Sequence, residues 1–122
     1  MRQEVRNVVE SAENKDLGGV MEGISEKYMD ESGWNKNTLR GILFRQFRMK
    51  KSVGVKMGPM GVKIDGEQAE VSFEALILEK ESEGIGLPTE IDALHFEVEL
   101  KNENGQWRIT SHRRLQLGEQ DL

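Results

Sequence analysis

At Lys51 the spacing of apolar residues switches from helical to alternating, and at Gly58-Pro59 the alternation itself slips by one position. Val53, Val55 and Met57 share one parity, whereas Met60, Val62 and Ile64 share the other. Strand side chains repeat every two residues, so a step of three would turn the second set away from the first. A β-bulge at Gly58-Pro59 absorbs the extra residue, keeps both sets on one core and bends the strand sharply. A strongly curved sheet is therefore expected in the second half of the chain.

The rest of that half reads as two hairpins. Asp65-Gly66 is a two-residue turn signal leading into Ala69, Val71, Phe73, Ala75 and Ile77 on one face. Leu94, Phe96, Val98 and Leu100 alternate cleanly, residues Asn102 to Gly105 turn, and Trp107 and Ile109 continue the apolar face. By that parity Ser111 and Arg113 also point inward. Between the hairpins, residues 79–90 contain Gly84, Gly86 and Pro88 and read as a loop able to act as a lid.

The first half is helical. Val5, Val8, Val9 and Ala12 form an amphipathic stripe over about residues 2–14. Asp16 is an N-cap for a second helix carrying Leu17, Val20, Met21, Ile24 and Tyr28, whose Gly18, Gly19 and Gly23 imply close packing or an irregular turn. Gly33 interrupts the pattern, and Asn35 or Asn37 can cap a third helix through Leu39, Ile42, Leu43 and Phe47. Three helices followed by a bent, mostly antiparallel sheet make an α+β fold, with the helices in the concave face.

Composition narrows the chemistry. The 122 residues fit one domain, 1–122, with a core of its own. Cysteine is absent, which excludes disulfides, thiolate nucleophiles and cysteine-ligated metal centres. The longest uninterrupted apolar run, Ala75 to Leu78, is four residues, far short of a membrane span. Residues 1–51 carry 10 basic and 8 acidic side chains, residues 52–122 carry 7 and 14, and the total is −5. That sign argues against nucleic acid as a partner, and the basic run Arg40, Arg45, Arg48, Lys50 and Lys51 has no interleaved aromatics. It sits where a helix C-terminus favours cations. Residues 1–17 lack an apolar signal region, so the chain as it stands reads as cytoplasmic or already processed.

The order of elements, together with Lys15-Asp16-Leu17, Tyr28-Met29-Asp30, Gly58-Pro59 and Gly105-Gln106-Trp107-Arg108-Ile109, resembles the nuclear transport factor 2-like (NTF2-like) superfamily. The similarity runs from Val5 to about Leu115. The stretch from Asp16-Leu17 to Ser25-Glu26-Lys27-Tyr28-Met29-Asp30-Glu31-Ser32-Gly33 is similar to a bacterial branch with many exported proteins and lipoproteins, although this chain has no lipobox cysteine. The resemblance implies a cystatin-like cone with an apolar pocket between helices and sheet. It also implies a periplasmic or lipoprotein origin if an upstream signal was trimmed. The superfamily includes ketosteroid isomerase-like and polyketide cyclase-like enzymes as well as non-catalytic binding modules.

Candidate residues follow from parity and chemistry. Tyr28, Trp34, Phe47, Phe73, Phe96 and Trp107 would line the pocket, with Ser111 and Arg113 at its mouth and Arg113 able to orient an anion. Tyr28 and Asp30 could act as donor and base, but on a helix, residues two apart diverge by about 200°. His95 and His112 are expected on the outer sheet face, either directly opposed or with His112 across from Glu97. With Glu97 they could hold a metal. More simply, His95, Glu97, Arg108, Thr110 and His112 form a homodimer face. The reading these residues favour is a non-enzymatic module that needs no cofactor and binds a small apolar or weakly anionic ligand. The alternatives are a cofactor-independent lyase or isomerase using Asp30 and Tyr28, and an exported adaptor for another protein.

Overall fold

The computed structural model describes residues 1–49, 52–80 and 90–116. Helices α1 (Arg2–Glu13), α2 (Leu17–Glu22) and α3 (Lys36–Met49) precede strands β1 (Ser52–Met57), β2 (Gly61–Asp65), β3 (Gln68–Lys80), β4 (Glu90–Glu103) and β5 (Gln106–Gln116). Among the described residues, all five strands pair antiparallel in the order β1-β3-β4-β5, and β2 pairs with β3 beyond the end of β1. Helices and inner sheet face share a core of Val5, Val20, Met21, Ile24, Tyr28, Leu39, Val71, Phe73, Val98, Leu100 and Ile109. The fold is thus the α+β cone read from the sequence. The proposed lid segment lies largely outside the described residues.

The slip at Gly58-Pro59 is real. Met57 pairs with Ala75 but Gly61 pairs with Ser72, so the register changes by one across residues 58–60. Gly58 anchors the break by donating its N–H to the Glu74 carbonyl at 2.8 Å. Val55, Met57, Met60 and Val62 consequently all pack on the core, although Ile64, expected inside with them, is 61% exposed near the tip of the hairpin.

The turns differ slightly from expectation. Asp65 pairs with Gln68, so the first loop is Gly66-Glu67, with Gly66 at φ +63°. The second loop is Asn104-Gly105, where both residues have positive φ (+56° and +88°), the geometry that suits the twist of a tight hairpin.

Helix α2 stops at Glu22 rather than continuing to Tyr28. Its N-cap is as expected, Asp16 Oδ1 accepting the Gly19 N–H at 3.0 Å. Its end is set by β5, an edge strand whose free backbone groups compete for the chain. The Ile109 N–H donates to the Gly23 carbonyl and the Ser25 N–H to the Ile109 carbonyl, each at 2.8 Å. Captured in this way, residues 23–35 run as an irregular connection to α3, where Asn35 Oδ1 caps the Thr38 N–H.

A one-residue bulge in β5 decides what faces the cone. Leu100 pairs with Ile109, but Glu99 pairs with Ser111, leaving Thr110 as the extra residue. From there on the parity of β5 is inverted relative to an unbroken strand. His112 pairs with Val98 and Arg114 with Phe96 on the inner face, while Ser111 and Arg113 pair with Glu99 and Glu97 on the outer one.

Candidate active site

The bulge that inverts β5 also positions the connection after α2. The Thr110 carbonyl accepts the Met29 N–H at 3.1 Å, which fixes Tyr28 and Asp30 against β5. Residues 30–34 then make a tight turn in which Gly33, at φ +81°, donates its N–H to the Asp30 carbonyl. Asp30 Oδ1 accepts the N–H groups of Ser32 (2.9 Å) and Trp34 (3.1 Å), an arrangement typical of Asp in turns. Because the backbone here is not helical, the 200° divergence does not apply, and Tyr28 and Asp30 converge.

The convergence has a third member. The Tyr28 hydroxyl lies 2.8 Å from Asp30 Oδ2 and 2.6 Å from His112 Nδ1. A phenol has one proton, and the carboxylate can only accept. Tyr28 therefore donates to Asp30 and accepts from His112 Nδ1–H, which assigns the imidazole its Nδ1–H tautomer. Nε2 keeps its lone pair and is the ring nitrogen left for the cavity that His112 lines. A carboxylate thus orients a histidine through a tyrosine hydroxyl.

Burial shapes both titrating rings. Tyr28, 1% exposed, is pushed well above the ordinary phenol value of 10.0, first by desolvation and then by its hydrogen bond to Asp30 and the carboxylate charge. His112 is lowered from 6.5, mainly by desolvation; the Asp30 charge opposes this and Arg114 adds to it. A neutral imidazole with a free Nε2 lone pair can accept a proton.

His112 lines a cavity of about 330 Å³ between helices and sheet. Leu39, Leu43, Phe47, Phe73, Phe96 and Val98 supply apolar wall, and Phe73 and Phe96 stack with centroids 5.2 Å apart. Arg114 also lines it, as do Lys15, Gln46, Glu79 and Asp92. Of the residues expected in the pocket, Phe47, Phe73 and Phe96 line this cavity. Tyr28 stands behind His112. Trp34 packs against the core outside the cavity lining, and Trp107 faces a separate, more polar recess bounded by Glu4, Glu22 and Glu103.

Three orientations are corrected by the bulge. Ser111 and Arg113, expected at the pocket mouth, lie on the outer face, where Arg113 is ion-paired with Glu97 and, at 3.6 Å, with Glu31. His112, expected outside, lies inside. His95 stays on the outer face, pairing with Leu115, so the two histidines are on opposite sides of the sheet and cannot share a metal. No cluster of three or more metal-ligating side chains occurs among the described residues. Nor, among them, is any helix long and apolar enough to cross a membrane. Glu97, Arg108 and Thr110 remain at the outer surface of β4 and β5, Arg108 paired with Glu103 at 3.6 Å.

Hydrophobic periodicity missed His112 because the residues after Ile109 are polar until Leu115 and carry no mark of the slip. Leu115, whose parity matches Ile109, points the wrong way and is 44% exposed.

No family model matches the chain, and no curated protein matches it in sequence. Solved structures do match in shape. Bd1075 from Bdellovibrio bacteriovorus superposes with a TM-score of 0.82 at 10% identity over 95% of this chain, which spans only 40% of that protein. A protein of unknown function with a cystatin-like fold from Nostoc punctiforme gives 0.78 at 10% identity, covering 96% of this chain and 88% of that one. A Streptomyces avermitilis protein, provisionally called a dehydratase of the NTF2-like family, gives 0.81 at 12% identity, with 95% and 93% covered. At such identities the likeness speaks for architecture alone: the chain has the NTF2-like, cystatin-like cone fold.

Proposed function

We propose that the protein catalyses proton transfer at carbon, as an isomerisation or an elimination, on a small and largely apolar molecule held in the cone, with His112 as the base. The observation that carries this reading is the Asp30–Tyr28–His112 chain ending at an apolar cavity. It differs from a site in which Asp30 is the base, because Asp30 is occupied by Tyr28 and two backbone N–H groups.

In this scheme Nε2 removes a proton from a substrate carbon. The positive charge that develops on the ring is compensated through Nδ1–H and the Tyr28 hydroxyl by Asp30. In an isomerisation the proton returns to another carbon. In an elimination the C–H electrons form the double bond, the C–O bond breaks, and the departing hydroxyl takes the proton to leave as water. The apolar wall excludes solvent from the ring.

The test uses 5-nitrobenzisoxazole, whose ring opens when a base in an apolar pocket takes its C–H proton and the N–O bond breaks. His112→Asn is expected to lower the rate about 100-fold or more. The wild-type rate should fall on acidification with an inflection below that of free imidazole. An unchanged rate in His112→Asn would leave only a binding module, the non-catalytic reading of the same cavity.

We further propose a homodimer through the outer sheet face. Leu76 pairs with Ala93, Leu78 with Ile91 and His95 with Leu115 in register, giving an apolar patch across three strands bordered by the Glu97–Arg113 pair. Mixed charge at that border suits a second copy, since each subunit offers both signs to the other. Light scattering should report a dimer that Ile91→Lys dissociates, and a monomeric wild type would refute it.

A further inference from the structure

The polar groups of the cavity are not equivalent, and one of them bears on what the cavity holds. Arg114 lies on the inner face of β5, two residues beyond His112, so the two side chains rise from the same face with Cα atoms roughly 7 Å apart. Its row neighbour is Phe96, part of the apolar wall. Its neighbour Arg113, on the outer face, is neutralised by Glu97 and Glu31. Among the described residues, Arg114 has no ion-pair partner.

Arg114 is exposed at the cavity's edge, and its guanidinium offers a planar fork of donors on the same face as His112, which matches a carboxylate in shape and charge. We infer that the cone selects small monoanions, with an apolar body against Phe73 and Phe96 and a carboxylate on Arg114. This deepens the proton-transfer reading by naming its substrate class: the C–H bond presented to His112 lies within a few bonds of the carboxylate. The anionic subsite expected at Arg113 is thereby reassigned one residue along, by the extra residue Thr110.

Binding of phenylacetate and of its neutral counterpart phenylacetamide, followed by NMR titration of the intact chain, tests the inference without any turnover. Wild type is expected to bind phenylacetate at least about tenfold more tightly, because a hydrogen bond between two charged groups is stronger than one with a neutral partner. Arg114→Gln should erase that preference by weakening phenylacetate far more than phenylacetamide, and Arg114→Lys should keep part of it. Equal binding of acid and amide, a preference that survives in Arg114→Gln, or no binding of either compound would each overturn the inference. His112→Asn separates the two proposals. An acid preference retained in His112→Asn, with 5-nitrobenzisoxazole opening equal to wild type, upholds the anion site and refutes the base.

Discussion

The Tyr28 hydroxyl and His112 Nδ1 meet at 2.6 Å although 84 residues separate them in the chain. The contact exists because a bulge at Thr110 turns His112 inward and the same Thr110 carbonyl holds Met29. Shape and chemistry at this point therefore have one cause.

If Tyr28 accepts from His112, the wild-type ring has its proton on Nδ1. Long-range proton–nitrogen NMR at neutral pH should show an unprotonated Nε2, and the opposite tautomer would contradict the proposed relay. Tyr28→Phe removes the central oxygen and leaves a buried ring N–H without its acceptor. A stability loss of about 1–3 kcal/mol in urea unfolding is expected.

Stability should depend on pH through His112. Burial holds its pKa below the 6.5 of the free ring, so the unfolded chain binds that proton more readily than the folded one. The contribution is complete above pH 6.5, is lost as pH falls toward the folded-state value and levels off beneath it. Unfolding free energies at about pH 7.5 and about pH 5.5 should differ in wild type and converge in His112→Asn.

Asp30→Asn should lower the His112 pKa further, because the Asp30 charge is what opposes desolvation. A titration of the ring showing a rise, or no change, would mean the carboxylate does not act on the imidazole.

Gly23 and Gly18 should respond oppositely to alanine. A Cβ at Gly23 would run into Val8 Cγ2, whereas at Gly18 it would meet only the Asp16 side chain at 3.7 Å. Gly23→Ala should cost about 1–3 kcal/mol by overpacking. Gly18→Ala should be neutral or stabilise by up to about 1 kcal/mol. Adding Val8→Ala to Gly23→Ala should restore part of the loss, which thermal unfolding can measure.

Much of the cone was legible in the sequence wherever apolar residues flank the event. The slip at Gly58-Pro59 showed because Met57 and Met60 bracket it, and the caps Asp16 and Asn35 are local chemistry. The end of α2 was not legible, since Gly23 and Ser25 leave the helix to bond with Ile109, a tertiary competition that no local spacing encodes. The bulge at Thr110 was hidden for a different reason. Ser111, His112, Arg113 and Arg114 are all polar, so either face assignment satisfies the hydrophobic pattern. Their chemistry singled out Tyr28 and Asp30 although helical spacing spoke against their meeting, and their partner His112 lay on the wrong side of an invisible slip.

The bulge at Thr110 has a consequence for how such a cavity can change over evolutionary time. The strand that follows carries two complete alphabets, Ser111, Arg113 and Leu115 on one face and His112 and Arg114 on the other. Substitution would have to rewrite these letters singly, whereas gaining or losing one residue upstream, with the pairing beyond it shifted in step, exchanges them together. Cones of nearly the same outline could then differ in chemistry by a single insertion, and matching their strands position by position without a gap would pair a cavity residue with a surface residue.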